Sequence, residues 1–372
     1  MRRFSGWIVL VLALVACTPR PDFTALAPET SGSAMAPQEP RIQRLYVATT
    51  RRAEPAGSTN FGDQPAENIT YLRYDFAVPP TARKKRYWSD GTPDPQHDYL
   101  VKDVQILSRA TFFRGVARDN ADNDEAQVPL FVHGFNVRYP EAVLRFAKLS
   151  ADTAGPDGVG RFGAPVLFSW PSEGRLMGYL ADRDEAQVTR EAFAGFLSDM
   201  SRARGDVLLA AHSLGAWMSM ESLRTLALQG RRDVIDDLDI VLVAPDIDIL
   251  VFRQQLAAMT PLERPIVVLV ATDDRALKLS AQLSTKRPRL GALNVKDPVV
   301  AEGARREDVQ LIDISSVKPV TAARHTRFVN MAGVWHELEQ NAGSFDAFRE
   351  GGAFVLNQLG TGLLQVGSVI GD

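Results

Sequence analysis

One cysteine, Cys17, is all the chain has, so an internal disulfide is excluded. Histidine is also scarce, with five residues at positions 97, 133, 212, 325 and 336. No Cys/His cluster carries zinc-ligand spacing and no glycine-rich phosphate loop is present, so neither a metal nor an organic cofactor is expected. Neither sign of charge dominates: 42 basic residues face 45 acidic ones, a formal net charge of −3. Nucleic-acid binders usually carry a clear basic excess, so no nucleic-acid partner is expected. What is present is ordinary globular material. The 372 residues are 45% hydrophobic, enough for one large α/β domain or two small ones.

The N-terminus stands apart. Met1-Arg2-Arg3 is basic, and residues 6–16 form an apolar run too short for a typical membrane span. That is the form of a secretory signal peptide. It closes on Leu14-Val15-Ala16-Cys17, which resembles a bacterial lipobox, the motif whose cysteine is lipidated and begins the mature chain. A plain signal peptide with an incidental cysteine competes with this reading, but the only cysteine of the chain sits at this position. Several acyl chains on one residue suffice to hold a protein at a bilayer. Thr18 follows where an aspartate would resemble an inner-membrane retention signal, which points toward the outer membrane. The expected division is residues 1–16 as lipoprotein signal peptide, residues 17–40 as a Pro/Ala/Ser/Thr-rich flexible tether with lipidated Cys17, and residues 41–372 as the folded domain.

The domain is organised around residues 206–217, Asp-Val-Leu-Leu-Ala-Ala-His-Ser-Leu-Gly-Ala-Trp. An apolar run of strand length enters a small-residue turn carrying Ser213. A helix follows, with Leu223, Leu226 and Ala227 at helical spacing. Strand, turn with serine, helix is the context of a nucleophile elbow. The turn lifts the hydroxyl clear of the sheet and aims the first amides of the helix at the same spot, where partial positive charge stabilises an oxyanion. The pattern departs from Gly-x-Ser-x-Gly at Ala211. Serine is also a favoured helix N-cap, so the turn taken alone has an ordinary reading.

The remaining pattern supports the elbow. Strands are expected at residues 44–50, 69–78, 101–107, 128–132, 164–170, 239–244, 265–271 and 309–314, the last being the final strand. Residues 51–68 and 118–127 are expected as loops. Helices are expected at residues 139–151, 179–203, 216–228, 249–258 and 275–283. Strand–helix alternation in the second half predicts a mostly parallel sheet with helices on both faces. Functional groups gather at the C-terminal ends of such strands. His133, Ser213, Asp246, Asp274 and His325 all fall there. The basic run Arg83-Lys84-Lys85-Arg86 beside Tyr87 and Trp88 reads as a solvated loop in preference to a headgroup-binding patch.

Acyl transfer by serine needs a base, a carboxylate that fixes the base's tautomer, and oxyanion donors. His325 is the one histidine in a loop after the expected last strand. His212 neighbours the nucleophile but is expected to point away from it, and His133 reads as a structural residue holding its loop. Asp274 is the favoured acid and Asp246 the runner-up; either also makes sense as a helix cap. The amides of Leu214 and Phe135 are the expected oxyanion donors, the latter from the loop after residues 128–132.

Residues 131–136 (Phe-Val-His-Gly-Phe-Asn), 167–172 (Leu-Phe-Ser-Trp-Pro-Ser), 211–215, 244–248 and 274–277 together resemble the motifs of a bacterial α/β-hydrolase family, grouped as esterase/lipase-like or as of unknown function. The resemblance covers roughly residues 100–330. It implies an α/β-hydrolase fold, serine hydrolase chemistry and the order Ser213, Asp274, His325. The family's late histidine block reads His-Ser-Tyr-Phe or similar, whereas this chain has His325-Thr326-Arg327-Phe328. The leading expectation is a lipid-anchored serine hydrolase of the cell envelope, on the periplasmic side of the outer membrane, acting on a small-molecule or lipid ester. A non-catalytic envelope binding protein on the same scaffold and an acyltransferase using the same serine are the alternatives.

Overall fold

The computed structural model describes residues 20–28, 40–81, 88, 94–121, 127–153, 164–317 and 325, together with the backbone of strands at 352–356 and 363–365. Cys17, the basic run at 83–86, Thr326–Phe328, His336, Trp335, Phe345 and Phe348 lie outside the described residues.

The elements run β1 (Arg41–Ala53), β2 (Phe61–Val78), β3 (Leu100–Leu107), α1 (Arg109–Arg118), β4 (Val128–Val132), α2 (Tyr139–Thr153), β5 (Val166–Ser169) and α3 (Tyr179–Ala203). The second half follows with β6 (Val207–His212), α4 (Leu214–Leu228), α5 (Arg232–Asp236), β7 (Leu238–Val243), α6 (Ile249–Met259), β8 (Ile266–Val270) and α7 (Arg275–Leu283). Then come α8 (Pro298–Arg306), β9 (Val309–Asp313), β10 (Gly352–Leu356) and β11 (Leu363–Gln365). Among the described residues the strands make one 11-stranded sheet in the order β11-β10-β9-β8-β7-β6-β4-β5-β1-β2-β3. From β10 through β1 every neighbour pair is parallel. The β1–β2–β3 meander and the β10–β11 pair are antiparallel.

The central strands read as unbroken apolar runs because both of their faces are buried. Leu209 of β6, Leu242 of β7 and Val268 of β8 enter one apolar layer, which α3, α4 and α6 cover through Phe193, Leu223 and Phe252. Leu208, Val241 and Val267 enter the opposite layer, covered by α2 through Val143 and Phe146. This is the α/β-hydrolase architecture that the sequence predicts.

Several local expectations need correction. Residues 51–68 are not a loop: β1 runs on to Ala53 and β2 starts at Phe61. The far end of this hairpin is largely exposed and polar, with register shifts around Arg51, so no alternating pattern marks it. Helix α1 was not anticipated; it is short, capped by Ser108, and buries only Phe112 and Val116. Helix α8 likewise buries only Ala301 and Ala304. β9 is not the final strand, since β10 pairs with it in parallel and β11 closes that edge. The expected tether is not free along its whole length. Leu26 is buried in the layer that α2 covers, and Arg20 reaches Glu141, Asn136 and Gly174.

Candidate active site

Strand β6 lies at the middle of the parallel sheet and ends at His212, so the turn after it emerges at the centre of the C-terminal edge. Ser213 occupies that turn with φ 54° and ψ −122°, a conformation that costs a non-glycine residue of order 1–3 kcal/mol. Its backbone is pinned from both sides. Ser213 N–H donates to the Val243 carbonyl at 3.0 Å, and its own carbonyl accepts Asp246 N–H at 3.2 Å. Gly215 is required by contact: a Cβ there would lie 2.2 Å from the His133 carbonyl oxygen. A Cβ on Gly134 would lie 2.7 Å from Ser213 Cβ, so the loop after β4 passes directly beside the nucleophile turn. Ala211, the departure from the glycine pattern, is simply buried in the core.

The structure brings Ser213, His325 and Asp274 together. His325 Nε2 is 2.7 Å from Ser213 Oγ, and His325 Nδ1 is 2.7 Å from Asp274 Oδ2. An ionised carboxylate only accepts, so Nδ1 carries the proton and Nε2 accepts the serine hydroxyl. Asp274 sits just beyond β8 with its side chain fully buried, whereas the imidazole of His325 keeps 14% exposure. The other oxygen of Asp274 accepts Leu277 N–H at 3.0 Å and caps α7.

Asp246 is not brought to the histidine. Its carboxylate faces Arg289 at 3.1 Å, accepts Tyr179 O–H at 2.8 Å and accepts Ser280 O–H at 2.6 Å. This buried network answers the runner-up expectation: Asp246 is consumed in holding α3, α7 and the loop before α8 together. Asp248 caps α6 and pairs with Arg287.

The other two histidines near the turn are buried and neutral. His133 stacks on Trp170 with ring centroids 5.2 Å apart, and its Nε2 lies 3.2 Å from Ser169 Oγ. Burial, aided by the nearby Arg51 cation, pulls its pKa down to about 3. It holds its loop, as the sequence suggests. His212 meets the candidate base. Its Nε2 donates to the His325 carbonyl at 3.1 Å and the two rings pack 4.7 Å apart. Burial first, then the neighbouring His325, keeps its pKa well below the usual histidine value. Its signal in the sequence was adjacency to the turn, which does not say which group the ring would meet.

Leu214 follows Ser213 in the chain, and Phe135 follows Gly134, whose backbone lies beside the Ser213 turn. Leu214 is the first residue of α4, so its amide has no partner within the helix. In the loop after β4, the Asn136 amide donates to Asp182 and the Val137 amide to Ser172 Oγ. Buried Asp182 also accepts Ser172 O–H at 2.5 Å and Glu173 N–H at 2.7 Å. That one carboxylate therefore ties the Phe135 loop to the loop after β5. The Phe135 ring packs edge-on against Tyr179 at 5.3 Å.

The sequence pattern of the family described as "Alpha/beta hydrolase of unknown function (DUF900)" matches residues 109–341, from α1 to beyond His325. The chain belongs to this alpha/beta hydrolase family. The matched span contains Ser213, Asp274 and His325 and excludes the N-terminal segment and the β1–β2–β3 meander. No curated protein matches the chain. For this family member the hydrolase scaffold is thus established, while the family description names no substrate.

Proposed function

We propose that this protein is a serine hydrolase of carboxylic esters, anchored to the cell envelope through lipidated Cys17 and facing the periplasm from the outer membrane. The observation that carries the reaction type is the pair of 2.7 Å hydrogen bonds running Ser213–His325–Asp274. Ser213 Oγ attacks the ester carbonyl while His325 Nε2 takes its proton. Asp274 holds the tautomer and stabilises the imidazolium. The amides of Leu214 and Phe135 receive the oxyanion, each such donor contributing roughly 3 kcal/mol. Collapse of the tetrahedral intermediate breaks the ester bond, and the departing alkoxide takes the proton from Nε2. Water then attacks the acyl-enzyme with His325 again as base, releasing the acid and restoring Ser213.

The strained turn favours an enzyme over a binding scaffold, because a module that only binds gains nothing from holding Ser213 at φ 54°. Fluorophosphonate labelling of the full-length protein in detergent tests the reading. Wild type is expected to label and to turn over short-chain esters, and Ser213→Ala to do neither while unfolding at an unchanged temperature. A folded wild type that takes no label would sink the proposal.

A further inference from the structure

The features that the reaction does not use converge on one face. Arg20 donates from Nη1 to Asn136 Oδ1 at 3.0 Å and to the Gly174 carbonyl at 2.7 Å, and from Nη2 to the Asn136 carbonyl at 2.7 Å. Its Nε donates to Glu141 at 3.0 Å. From there the segment runs to Leu26, buried against the domain. Residues 20–26 are therefore a strap fastened at Arg20 to the Asn136 and Gly174 loops and at Leu26 to the layer that α2 covers.

Two residues beyond Gly174 begins an apolar rim. Met177 is 95% exposed, Leu180 71% and Leu176 50%, the first and last in a short 3-10 turn and Leu180 at the start of α3. The rim connects inward: Tyr179 packs on Phe135, the chain neighbour of Gly134, whose backbone lies against Ser213. Arg138 and Arg175 are exposed on the two loops that flank it. Apolar side chains beside exposed cations suit a bilayer surface with anionic headgroups.

The strap says which surface covers this rim. Arg20 is the third residue after Cys17, a reach of at most roughly 11 Å. An acylated Cys17 must therefore enter the lipid next to the point where Arg20 is fastened, and the rim lies at that same point.

We propose that the strap seats the site mouth on the membrane: Arg20 fixes the anchor beside Leu176, Met177 and Leu180, these insert in the lipid surface, and the substrates are esters presented by that surface. This rests on the anchoring and serine chemistry proposed above, and it names the class of substrate.

The test uses the full lipidated protein in vesicles of phosphatidylethanolamine and phosphatidylglycerol. With Cys17 acylated, Met177→Cys supplies the only free thiol and takes an environment-sensitive fluorophore. Leu228→Cys, exposed at the opposite end of α4, is the control. Brominated lipids are expected to quench the probe at 177 several-fold more than the probe at 228, and Arg20→Ala to erase the difference. Equal quenching at both sites in otherwise wild-type protein would overturn the proposal. A difference that survives Arg20→Ala would overturn the strap's part in it. In parallel, Met177→Glu with Leu180→Glu is expected to cut turnover of a vesicle-borne ester by about tenfold or more, leaving a soluble short-chain ester within roughly twofold. Equal effects on both esters would count against membrane presentation. Loss of Ser213-dependent turnover of the soluble ester in the wild type would instead defeat the hydrolase reading, and the quenching result would stand apart from it.

Discussion

Asp274 serves His325 and a helix at once: Oδ2 lies 2.7 Å from His325 Nδ1 while Oδ1 caps α7 through Leu277 N–H at 3.0 Å. The two duties separate by substitution. Asn is as good an N-cap as Asp, so Asp274→Asn is expected to keep stability within about 0.5 kcal/mol. It can also donate to Nδ1 and so select the wrong histidine tautomer, which should lower kcat on the order of 10⁴-fold. Asp274→Ala loses the cap as well, about 1 kcal/mol more in urea unfolding. Ester turnover by Asp274→Asn close to wild type would rule out the proposed role.

Asp246 and Arg289 give the opposite expectation. Both side chains are nearly fully buried and face each other at 3.1 Å. Asp246→Ala strands a buried cation, which should destabilise the fold by roughly 3–5 kcal/mol. Below its own melting temperature the variant should still take a fluorophosphonate label at Ser213. A stable variant that cannot be labelled would return Asp246 to the role of acid.

Backbone proximity makes glycine obligatory at 215 and leaves it optional at 195. A Cβ at Gly215 meets the His133 carbonyl oxygen at 2.2 Å, whereas one at Gly195 in α3 meets nothing within 4 Å. Gly215→Ala is expected to destabilise by about 3 kcal/mol and to abolish labelling, because strand and helix must part. Gly195→Ala is expected to stabilise by about 0.5–1 kcal/mol, since alanine is the better helix former. Thermal melts with serine labelling on both variants check the pair.

Acid sensitivity follows from the buried histidines. His133 is neutral in the fold with its pKa lowered to about 3, and His212 is displaced in the same direction. In the unfolded chain both titrate near the ordinary value of about 6.5. Between those values the unfolded chain binds protons that the folded one refuses. Stability is therefore complete above about pH 6.5 and falls as pH drops toward 3, by about 2 kcal/mol at pH 5 for His133 alone. Urea unfolding at pH 7 and pH 5 should show the loss, and His133→Gln should reduce it by about that amount. Identical losses in wild type and variant would contradict the assignment.

What was legible locally is what is buried locally. β4 and β8 are continuous apolar runs, and β6 is one up to His212, because both faces of the sheet are covered, and the small residues around Ser213 mark a turn where two backbones touch. Helices α1 and α8 span only 10 and 9 residues and bury two side chains each, and the end of the β1–β2 hairpin is polar and exposed. Candidate acids could be narrowed but not separated: Asp246 and Asp274 both follow parallel strands and both suit a helix start. The sequence alone thus determined the fold class, the serine turn and a short set of partners for it, since each depends on neighbours along the chain. Only the tertiary structure decided that Asp274 meets a histidine 51 residues later, that Asp246 is spent on Arg289, and that Arg20 fastens to Asn136 from 116 residues away. Those pairings depend on closing long loops over a finished sheet, and no local pattern of side chains encodes where such loops end.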